Sequence, residues 1–145
     1  MTWEKPLPMV HALSRPFWDA TRAHELRLQR CADCGAFRFP PQVLCRACLS
    51  ENAEWIAVSG KGMVYSHVVQ HRPATPAFAA DVPFVLAVVE LAEGPLLLTN
   101  IVGCPTDAVY AGMRVEVAFV DATEEITLYP FRPVDEDERL ADSAK

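Results

Sequence analysis

The stretch that decides the fold is residues 31–50, CADCGAFRFPPQVLCRACLS. It contains two C-x2-C pairs, Cys31 with Cys34 and Cys45 with Cys48, and ten residues separate the pairs. A two-residue gap lets both thiolates of a pair turn back on one tetrahedral ion. We therefore predict that the four sulfurs bind a single metal ion.

The predicted ion is structural, because four thiolate ligands leave a tetrahedral metal without an open coordination position. Zinc is the expected metal, and the spacing alone leaves iron open. Gly35 directly after the first pair suits the tight turn of such a site. A thiol–disulfide motif would need one C-x2-C at a helix start in a βαβ setting, which this sequence does not offer. The fifth cysteine, Cys104, precedes Pro105 and is interpreted as a small packed residue.

Residues 1–25 are interpreted as an N-terminal arm that ends in a short helix. Ser14 takes the N-cap position, a proline falls in the first turn where its missing N–H costs nothing, and the helix is expected to reach about residue 24. Phe17 and Trp18 lie on one side of this helix. They either pack on the rest of the protein or contact a partner, and partner binding is the role predicted for both.

Five segments after the cysteines have the alternation or apolar content of β-strands. They are residues 60–71, 84–91, 96–102, 114–120 and a last strand that begins at 126–129. Their number and spacing, with a hairpin turn after the second strand, fit a small closed barrel of the OB type. Closure removes the free sheet edges, so a β-module of this size can be stable.

The predicted fold class is therefore mainly β, with a helical arm, a zinc ribbon and a C-terminal five-stranded OB-fold barrel. We place the arm at residues 1–25, the ribbon at 26–55 and the barrel at 56–133. Residues 134–145 are acidic and nearly without apolar side chains, which predicts a disordered tail.

The charge distribution argues against a nucleic-acid partner. The net charge is −6; residues 1–50 hold seven Lys and Arg against four Asp and Glu, and residues 51–145 hold six against fifteen. A nucleic-acid binder needs a basic face that displaces counterions from phosphates. No apolar run approaches the roughly 20 residues of a membrane span, and the N-terminus lacks a secretory signal, so a cytoplasmic location is expected.

The sequence offers no catalytic constellation. It has no glycine-rich phosphate loop and no nucleophile elbow. His67 and His71 share one face of a predicted strand, either as packed residues or facing a ligand. No catalytic residue is predicted, and a catalytic role for these two histidines is left open.

Several segments in order resemble a known family. They are PFWDATRAHELRLQRCADCG (16–35), PPQVLCRAC (40–48), PFVLAVVELAEGPLLLTNIVG (83–103), GMRVEVAF (112–119) and LYPFRP (128–133). Together they resemble the acyl-CoA-associated zinc-ribbon plus OB-fold family, long catalogued as a domain of unknown function. The resemblance extends over about residues 14–133, most of the chain.

The resemblance implies a rubredoxin-like ribbon with zinc on Cys31, Cys34, Cys45 and Cys48, followed by an OB barrel. It also implies a partner protein, because such proteins are typically accessory subunits of thiolase-like or hydratase-like enzymes that act on acyl-CoA thioesters. It brings no catalytic motif that can be transferred residue by residue.

Acyl-CoA is accordingly the predicted ligand. Coenzyme A carries a few phosphate charges, which two or three arginines can neutralise in a local pocket. Arg38 in the basic first half and Arg72 after the first barrel strand are the predicted contacts, although either can equally be a solubilising surface charge. Phe78, in the proline-rich loop at residues 72–83, is predicted to cover the acyl chain.

The function predicted from the sequence is a non-catalytic subunit of a hetero-oligomer. It would bind a thiolase-like or hydratase-like enzyme and help to form its acyl-CoA thioester site. A stand-alone acyl-CoA-binding protein or enzyme is the alternative, and a nucleic-acid-binding module is less favoured because of the acidic barrel half.

Overall fold

The computed structural model describes residues 3–134, with one α-helix and ten strands. They are α1 (Arg15–Arg22), β1 (Leu26–Cys31), β2 (Phe37–Arg38), β3 (Ala53–Val58), β4 (Lys61–Gln70), β5 (Phe84–Leu91), β6 (Leu96–Ile101), β7 (Arg114–Val117), β8 (Val120–Asp121), β9 (Thr127–Leu128) and β10 (Phe131–Pro133). Short 3-10 turns occupy Pro76–Phe78 and Thr106–Ala108. Among the described residues, no helix combines the length and the apolarity that crossing a bilayer requires. The tail predicted for residues 134–145 lies, apart from Val134, outside the described residues.

Helix α1 begins where the sequence predicts, with Ser14 at the N-cap position and a proline in the first turn. The Ser14 hydroxyl does not cap a helical N–H; it accepts a hydrogen bond from the His11 N–H (3.0 Å) and donates one to the His11 carbonyl (3.3 Å). The helix ends at Arg22, earlier than expected, because His24 adopts φ +59°, a value that an α-helix cannot continue through. Phe17 and Thr21 are buried.

The ribbon contains a three-stranded antiparallel sheet in the order β2-β1-β3. Strand β1 leads into the first cysteine pair, as the alternation of Leu26 and Leu28 predicts. Strand β3 was not predicted, yet all six of its residues pair with β1, from Leu26 opposite Val58 to Cys31 opposite Ala53. It therefore crosses the boundary predicted between residues 55 and 56.

The C-terminal part is a closed five-stranded barrel in the order β10-β6-β5-β4-β7, which confirms the predicted fold class. The assignment of the fifth strand was wrong. Residues 127–128 form β9 and pair with β8 in a separate two-stranded sheet, whereas Phe131–Pro133 closes the barrel. Strand β10 can do this because Phe131 lies opposite Ile101 of β6 on one side and Val117 of β7 on the other.

One hydrophobic core joins the three predicted parts of the chain. Phe17 from α1 and Leu26 and Leu28 from β1 belong to the same buried cluster as the inward-facing residues of the barrel. Alternation along β5 and β6 sends one set of side chains into this core and the other to the outside. The arm, ribbon and barrel therefore stabilise one another.

Gly62 lies where β4 pairs with both β5 and β7, and a side chain does not fit there. A Cβ atom at this position would clash with the Glu90 carbonyl oxygen and with the Val89 side chain. We expect Gly62→Ala to lower the free energy of unfolding by about 1–3 kcal/mol, because the two backbones must separate. Urea unfolding monitored by circular dichroism measures this. Ser66→Ala, an exposed change on the same strand, should stay within about 0.5 kcal/mol of the parent; equal stability of the two variants would contradict the steric argument.

Candidate metal centre and apolar groove

The two cysteine pairs form turns with the same backbone hydrogen bonds. The N–H groups of Gly35 and Leu49 donate to the carbonyls of Cys31 and Cys45, each at 2.9 Å. The N–H groups of Cys31 and Cys45 in turn donate to carbonyls five residues further along the chain. Each turn also aims an N–H at a sulfur, Cys34 N to Cys31 Sγ (3.5 Å) and Ala47 N to Cys45 Sγ (3.4 Å).

A left-handed residue completes each turn, and the sequence reveals only the first. Gly35 has φ +80°, as its position after the first pair suggests. Leu49 takes φ +65° at the equivalent place in the second turn, although leucine rarely adopts this conformation. The metal turn at Leu49 therefore carries local strain that a glycine would not.

The structure brings the four predicted sulfurs together, and their geometry fits a tetrahedral metal. Cys31 Sγ lies 3.6 Å from Cys48 Sγ, and Cys34 Sγ lies 3.5 Å from Cys45 Sγ. All four sulfurs lie within 4.8 Å of one another. A zinc ion with Zn–S bonds of about 2.3 Å needs sulfurs about 3.8 Å apart. Within residues 3–134 this is the only cluster of three or more His, Cys, Asp or Glu ligand groups.

Hydrogen bonds to the sulfurs divide the four thiols into two kinds. The Cys34 N–H lowers the pKa of Cys31 to about 6, and the Cys48 N–H lowers the pKa of Cys45. At Cys48 a backbone bond at Ser50 lowers the pKa, but the Cys31 thiol, burial and the other two thiols outweigh it and the pKa rises to about 12. At Cys34 a backbone bond at Ala36 lowers the pKa, but the Cys45 thiol and burial outweigh it and the pKa is raised. Four thiolates this close repel one another, so full ionisation requires a cation between them.

Arg38, predicted to contact coenzyme A, is 4% exposed and holds the second cysteine turn in place. Its Nη1 donates to the carbonyls of Gln42 and Val43, both at 3.2 Å, and its Nη2 donates to those of Ser50 (2.9 Å) and Asn52 (3.4 Å). These carbonyls lie on both sides of the second pair. The structure gives the guanidinium a structural role, and its contact with a ligand stays an untested prediction.

Asp33 links the two cysteine turns. Its carboxylate accepts hydrogen bonds from the Ser50 hydroxyl and from the Asn52 side-chain amide (3.2 Å). These two bonds, Ser50 first, lower the pKa of Asp33 below its usual range. The carboxylate is therefore ionised at neutral pH and ties the first turn to the segment that follows the second.

An apolar groove of about 860 Å³ lies where the arm, the ribbon and the barrel meet. Met9 and Leu13 of the arm form one wall. Phe39 and the two prolines after it, which lie between the cysteine pairs, form a second wall. The outer side of the barrel supplies the third through Val88 and Leu98. No single part of the chain forms this groove alone.

Aromatic rings close the bottom of the groove. The Phe17 ring packs 5.0 Å from Trp18, 5.5 Å from Phe39 and 5.3 Å from Tyr129, measured between ring centroids. Burial raises the pKa of the Tyr129 hydroxyl, which keeps the phenol neutral. The cluster joins the helix, the ribbon and the segment before β10 into a rigid floor.

The outer face of β4–β6 exposes apolar side chains beside this groove. Val68 is 59% exposed and Leu98 is 61% exposed, and Met63 and Leu96 are also exposed. Strand pairing places them on one surface, with Val68 opposite Leu86 and Leu98 opposite Val88. Ser66, Glu90 and Asn100 lie among them on the same surface. Most soluble monomers bury such a cluster of exposed apolar side chains or use it to bind.

Two of the remaining predicted residues, Arg72 and Phe78, lie apart from both sites. Arg72 is exposed at the start of the loop after β4, and Phe78 is half-buried in the 3-10 turn with its ring 6.4 Å from Phe84. Neither lines the groove. Phe17 is 2% exposed and packs in the core, whereas Trp18 is half-buried, and both line the groove. Partner contact by these two residues stays a prediction.

The histidines do not form a catalytic pair in the described residues. His67 is half-buried on β4 opposite Ala87, and His71 is exposed just beyond the end of β4. Neither has a side-chain hydrogen bond to a carboxylate, in contrast to His24, whose Nε2 lies 2.9 Å from Asp121 Oδ1 on the surface. Neither histidine is therefore paired with a carboxylate among residues 3–134.

Comparison with known proteins matches both modules. Residues 18–54 match the family described as "ChsH2, rubredoxin-like zinc ribbon domain", and residues 55–120 match "ChsH2, C-terminal OB-fold domain". The chain is 39% identical, over 89% of its length, to the probable enoyl-CoA hydratase alpha subunit of Thermomonospora curvata, but it spans only 40% of that relative. It is 38% identical to a DUF35 domain-containing scaffold protein of Methanocaldococcus jannaschii, covering 73% of this chain and 79% of that one. A solved structure described as "Ltp2-ChsH2(DUF35) aldolase" superposes with a TM-score of 0.78 at 38% identity and covers 88% of this chain and 98% of that one.

Proposed function

The chain belongs to the DUF35 family of ChsH2-type zinc-ribbon and OB-fold proteins, and from this premise we propose that it is a non-catalytic accessory subunit. It binds a thiolase-like or hydratase-like enzyme and helps to form the acyl-CoA thioester site of that enzyme. The names of its relatives, a hydratase alpha subunit, a scaffold protein and an aldolase assembly, support this proposal.

The observation that carries the proposal is the apolar outer face of β4–β6. Val68 and Leu98 lie on the same side of the sheet, with the half-buried Leu86 and Val88 of β5 between them. A partner that covers this face would bury apolar surface without first having to order flexible segments, because the barrel already fixes the strands. The enzyme subunit is the occupant to which we commit.

The metal centre supports the same role. Zinc bound by four thiolates has no position for substrate, so its contribution is to the fold. The walls of a thioester site must exclude water and hold a fixed shape, and a rigid second chain supplies such a wall. Acyl-CoA contact by Arg72 and Phe78, and a cytoplasmic location, remain predictions within this proposal.

A substitution on the outer face tests the proposal. Tagged full-length protein is used to isolate bound chains from its native cells, mass spectrometry identifies them, and the purified pair is then recombined for sedimentation analysis. We expect a thiolase-like or hydratase-like chain to be recovered, and Val68→Glu to weaken the recombined complex more than about tenfold because a carboxylate would be buried unpaired.

Val43→Glu is the matched control, because Val43 is 60% exposed but lies between the two cysteine pairs and not on β4–β6. It should leave the complex within about twofold of the parent. Recovery of the chain without an enzyme of either class would count against the proposal. A complex that tolerates Val68→Glu as well as Val43→Glu would count against the outer face as the docking surface.

A further inference from the structure

We propose that residues 3–13 form a detachable strap over the apolar groove, and that the ion pair between Lys5 and Asp81 is its latch. The strap starts beside the loop that joins β4 and β5, passes the turn between β8 and β9, and ends at helix α1. The inference concerns a motion within this chain, so it is independent of the proposed function and of the chemistry of any ligand.

The backbone of the strap is not anchored to the body of the protein. Within residues 3–134, no backbone hydrogen bond joins residues 3–10 to another segment. None of residues 3–13 is fully buried, whereas the helix that follows places Phe17 and Thr21 in the interior. Segments with few buried contacts and no hydrogen-bonded backbone open at a low cost in free energy. The strap can therefore leave the body while α1 stays in place.

Clefts lie on both sides of the strap. Alternate residues of its second half line the apolar groove of about 860 Å³: Met9, His11 and Leu13. Others line a second cleft of about 570 Å³, which separates the strap from residues 123–126: Leu7, Pro8 and Val10. A segment flanked by clefts makes fewer packing contacts than one set into a close-packed interior. Lifting the strap would therefore leave the core intact.

One ion pair holds the end of the strap that lies far from α1. Lys5 Nζ lies 2.7 Å from Asp81 Oδ2, and the same ammonium lies 4.9 Å from the centre of the Trp3 ring. The two side chains of the pair are 31% and 37% exposed, so water and salt reach them and the attraction is modest. Such a latch holds the strap closed without locking it.

The closed position also has a cost, which arises at Trp3. The indole N–H of Trp3 is buried and donates to no acceptor in the part of the chain that the structure describes. A buried donor without a partner is unfavourable, and water would satisfy it once the strap lifts. The ion pair and the apolar contacts favour the closed position, whereas the indole favours the open one. The two positions are therefore close in free energy.

Opening would remove one wall of the groove and leave the rest. The floor formed by Phe17, Phe39 and Tyr129 does not depend on the strap, because these rings pack on one another. The pivot lies at the turn before α1, where the N–H groups of Ser14 and Arg15 donate to the His11 carbonyl at 3.1 and 2.8 Å. The strap thus controls how far the groove is enclosed.

Native-state proteolysis of the full-length protein with thermolysin tests the strap and its latch. Thermolysin cleaves before bulky apolar residues and needs an extended, accessible segment, so cuts before Met9 or Val10 report the open strap. Lys5→Met should raise the rate of these cuts by up to about fivefold, the range expected for a half-exposed ion pair. Asp81→Asn should do the same, and the double variant should add nothing further.

Lys61→Met is the matched control, because Lys61 is exposed on β4 and pairs with no carboxylate among residues 3–134. It should leave the cleavage rate of the strap unchanged. Salt gives a second control. At about 0.5 M NaCl the rates of the parent and of Lys5→Met should converge, because ions screen an exposed pair. The ratio of the two rates cancels any effect of salt on the protease.

Nile red, an uncharged apolar dye, tests whether the strap covers the groove. A molecule that binds between the strap and the floor favours the closed position, so cleavage before Met9 should slow as the dye approaches saturation. Leu13→Glu places a carboxylate on the strap wall of the groove and should reduce this protection. Val68→Glu, the same kind of change outside the groove lining, should retain it.

Three results would overturn the inference. Cleavage of the strap no faster than cleavage within the barrel would show that the strap opens only when the whole protein unfolds. Equal rates in the parent, Lys5→Met and Asp81→Asn would exclude the ion pair as a latch. Saturating dye that leaves strap cleavage unchanged would exclude the strap as a cover of the groove. No partner is present in these measurements, so none of them bears on the accessory-subunit proposal.

Discussion

Replacing Cys45 with serine should remove zinc from the protein and lower its melting temperature by about 10 °C or more. Cys45 is fully buried, and its sulfur lies 3.5 Å from that of Cys34. Serine cannot replace a thiolate ligand, and three sulfurs bind the ion far less tightly. Structural zinc contributes about 10–16 kcal/mol of apparent binding free energy in zinc-finger peptides. Only part of this is expected here, because the shared core also holds the ribbon.

The measurement is metal content by elemental analysis together with thermal unfolding followed by circular dichroism. Cys104→Ser is the matched control, because Cys104 is half-buried in the barrel part and outside the cluster. It should retain one zinc per chain. Removal of the metal from the parent with a strong chelator should reproduce the melting temperature of Cys45→Ser. A full complement of zinc in Cys45→Ser would contradict the four-thiolate site.

Loss of zinc should also change the shape of the groove. Phe39, Pro40 and Pro41 line the groove and lie in the segment that joins the two cysteine pairs. Because the ion fixes both ends of that segment, the metal-free protein should keep the groove wall that the barrel forms. The groove wall that the ribbon forms should lose its shape. The structural metal and the shape of the groove are therefore coupled through one loop.

Arg38→Met should lower the free energy of unfolding by about 3 kcal/mol, measured by denaturant unfolding with zinc in excess. The guanidinium donates to four backbone carbonyls around the second cysteine pair, and methionine fills similar space without any donor. Without these donors, four partly buried hydrogen bonds to the segments around the second cysteine pair are lost. The free energy of unfolding of Arg38→Lys should lie between those of the parent and Arg38→Met. An ammonium group lacks the planar fork of donors with which the guanidinium reaches all four carbonyls.

Arg46→Met is the control, since Arg46 is an exposed arginine on the same ribbon. Its stability should lie within about 0.5 kcal/mol of the parent. If Arg38→Met and Arg46→Met were equally stable, the four hydrogen bonds from Arg38 to carbonyls would add nothing to stability beyond what water provides. Weakened acyl-CoA binding in a stable Arg38→Lys protein would instead favour the ligand contact predicted from the sequence.

The features that the sequence predicted correctly depend on local patterns. The C-x2-C pairs bring their own turn geometry, so the cluster of four sulfurs followed from spacing alone. Strand β4 is ten residues long, β5 and β6 are rich in apolar residues, and the hairpin turn between β5 and β6 made their pairing predictable. Helix α1 was marked by the serine and proline at its start.

The features that were missed depend on partners far away in the chain. Strand β10 has three residues and no pattern of its own, and it exists because β6 and β7 present free edges to it. Strand β3 forms because β1 offers six pairing positions. Arg38 looked like a surface cation, since nothing in its neighbours reveals that four carbonyls converge on it.

By itself, the sequence determined the cluster of four cysteine sulfurs, the mainly β class and the order of arm, ribbon and barrel, because each rests on residues close together in the chain. Only the tertiary structure decided which strand closes the barrel, that Phe17 belongs to the core, and that an apolar groove exists. The groove is made of side chains from residues 9–18, 39–41, 88, 96–98 and 129. Burial and enclosure arise only when such distant segments pack together, so no local pattern could have encoded them.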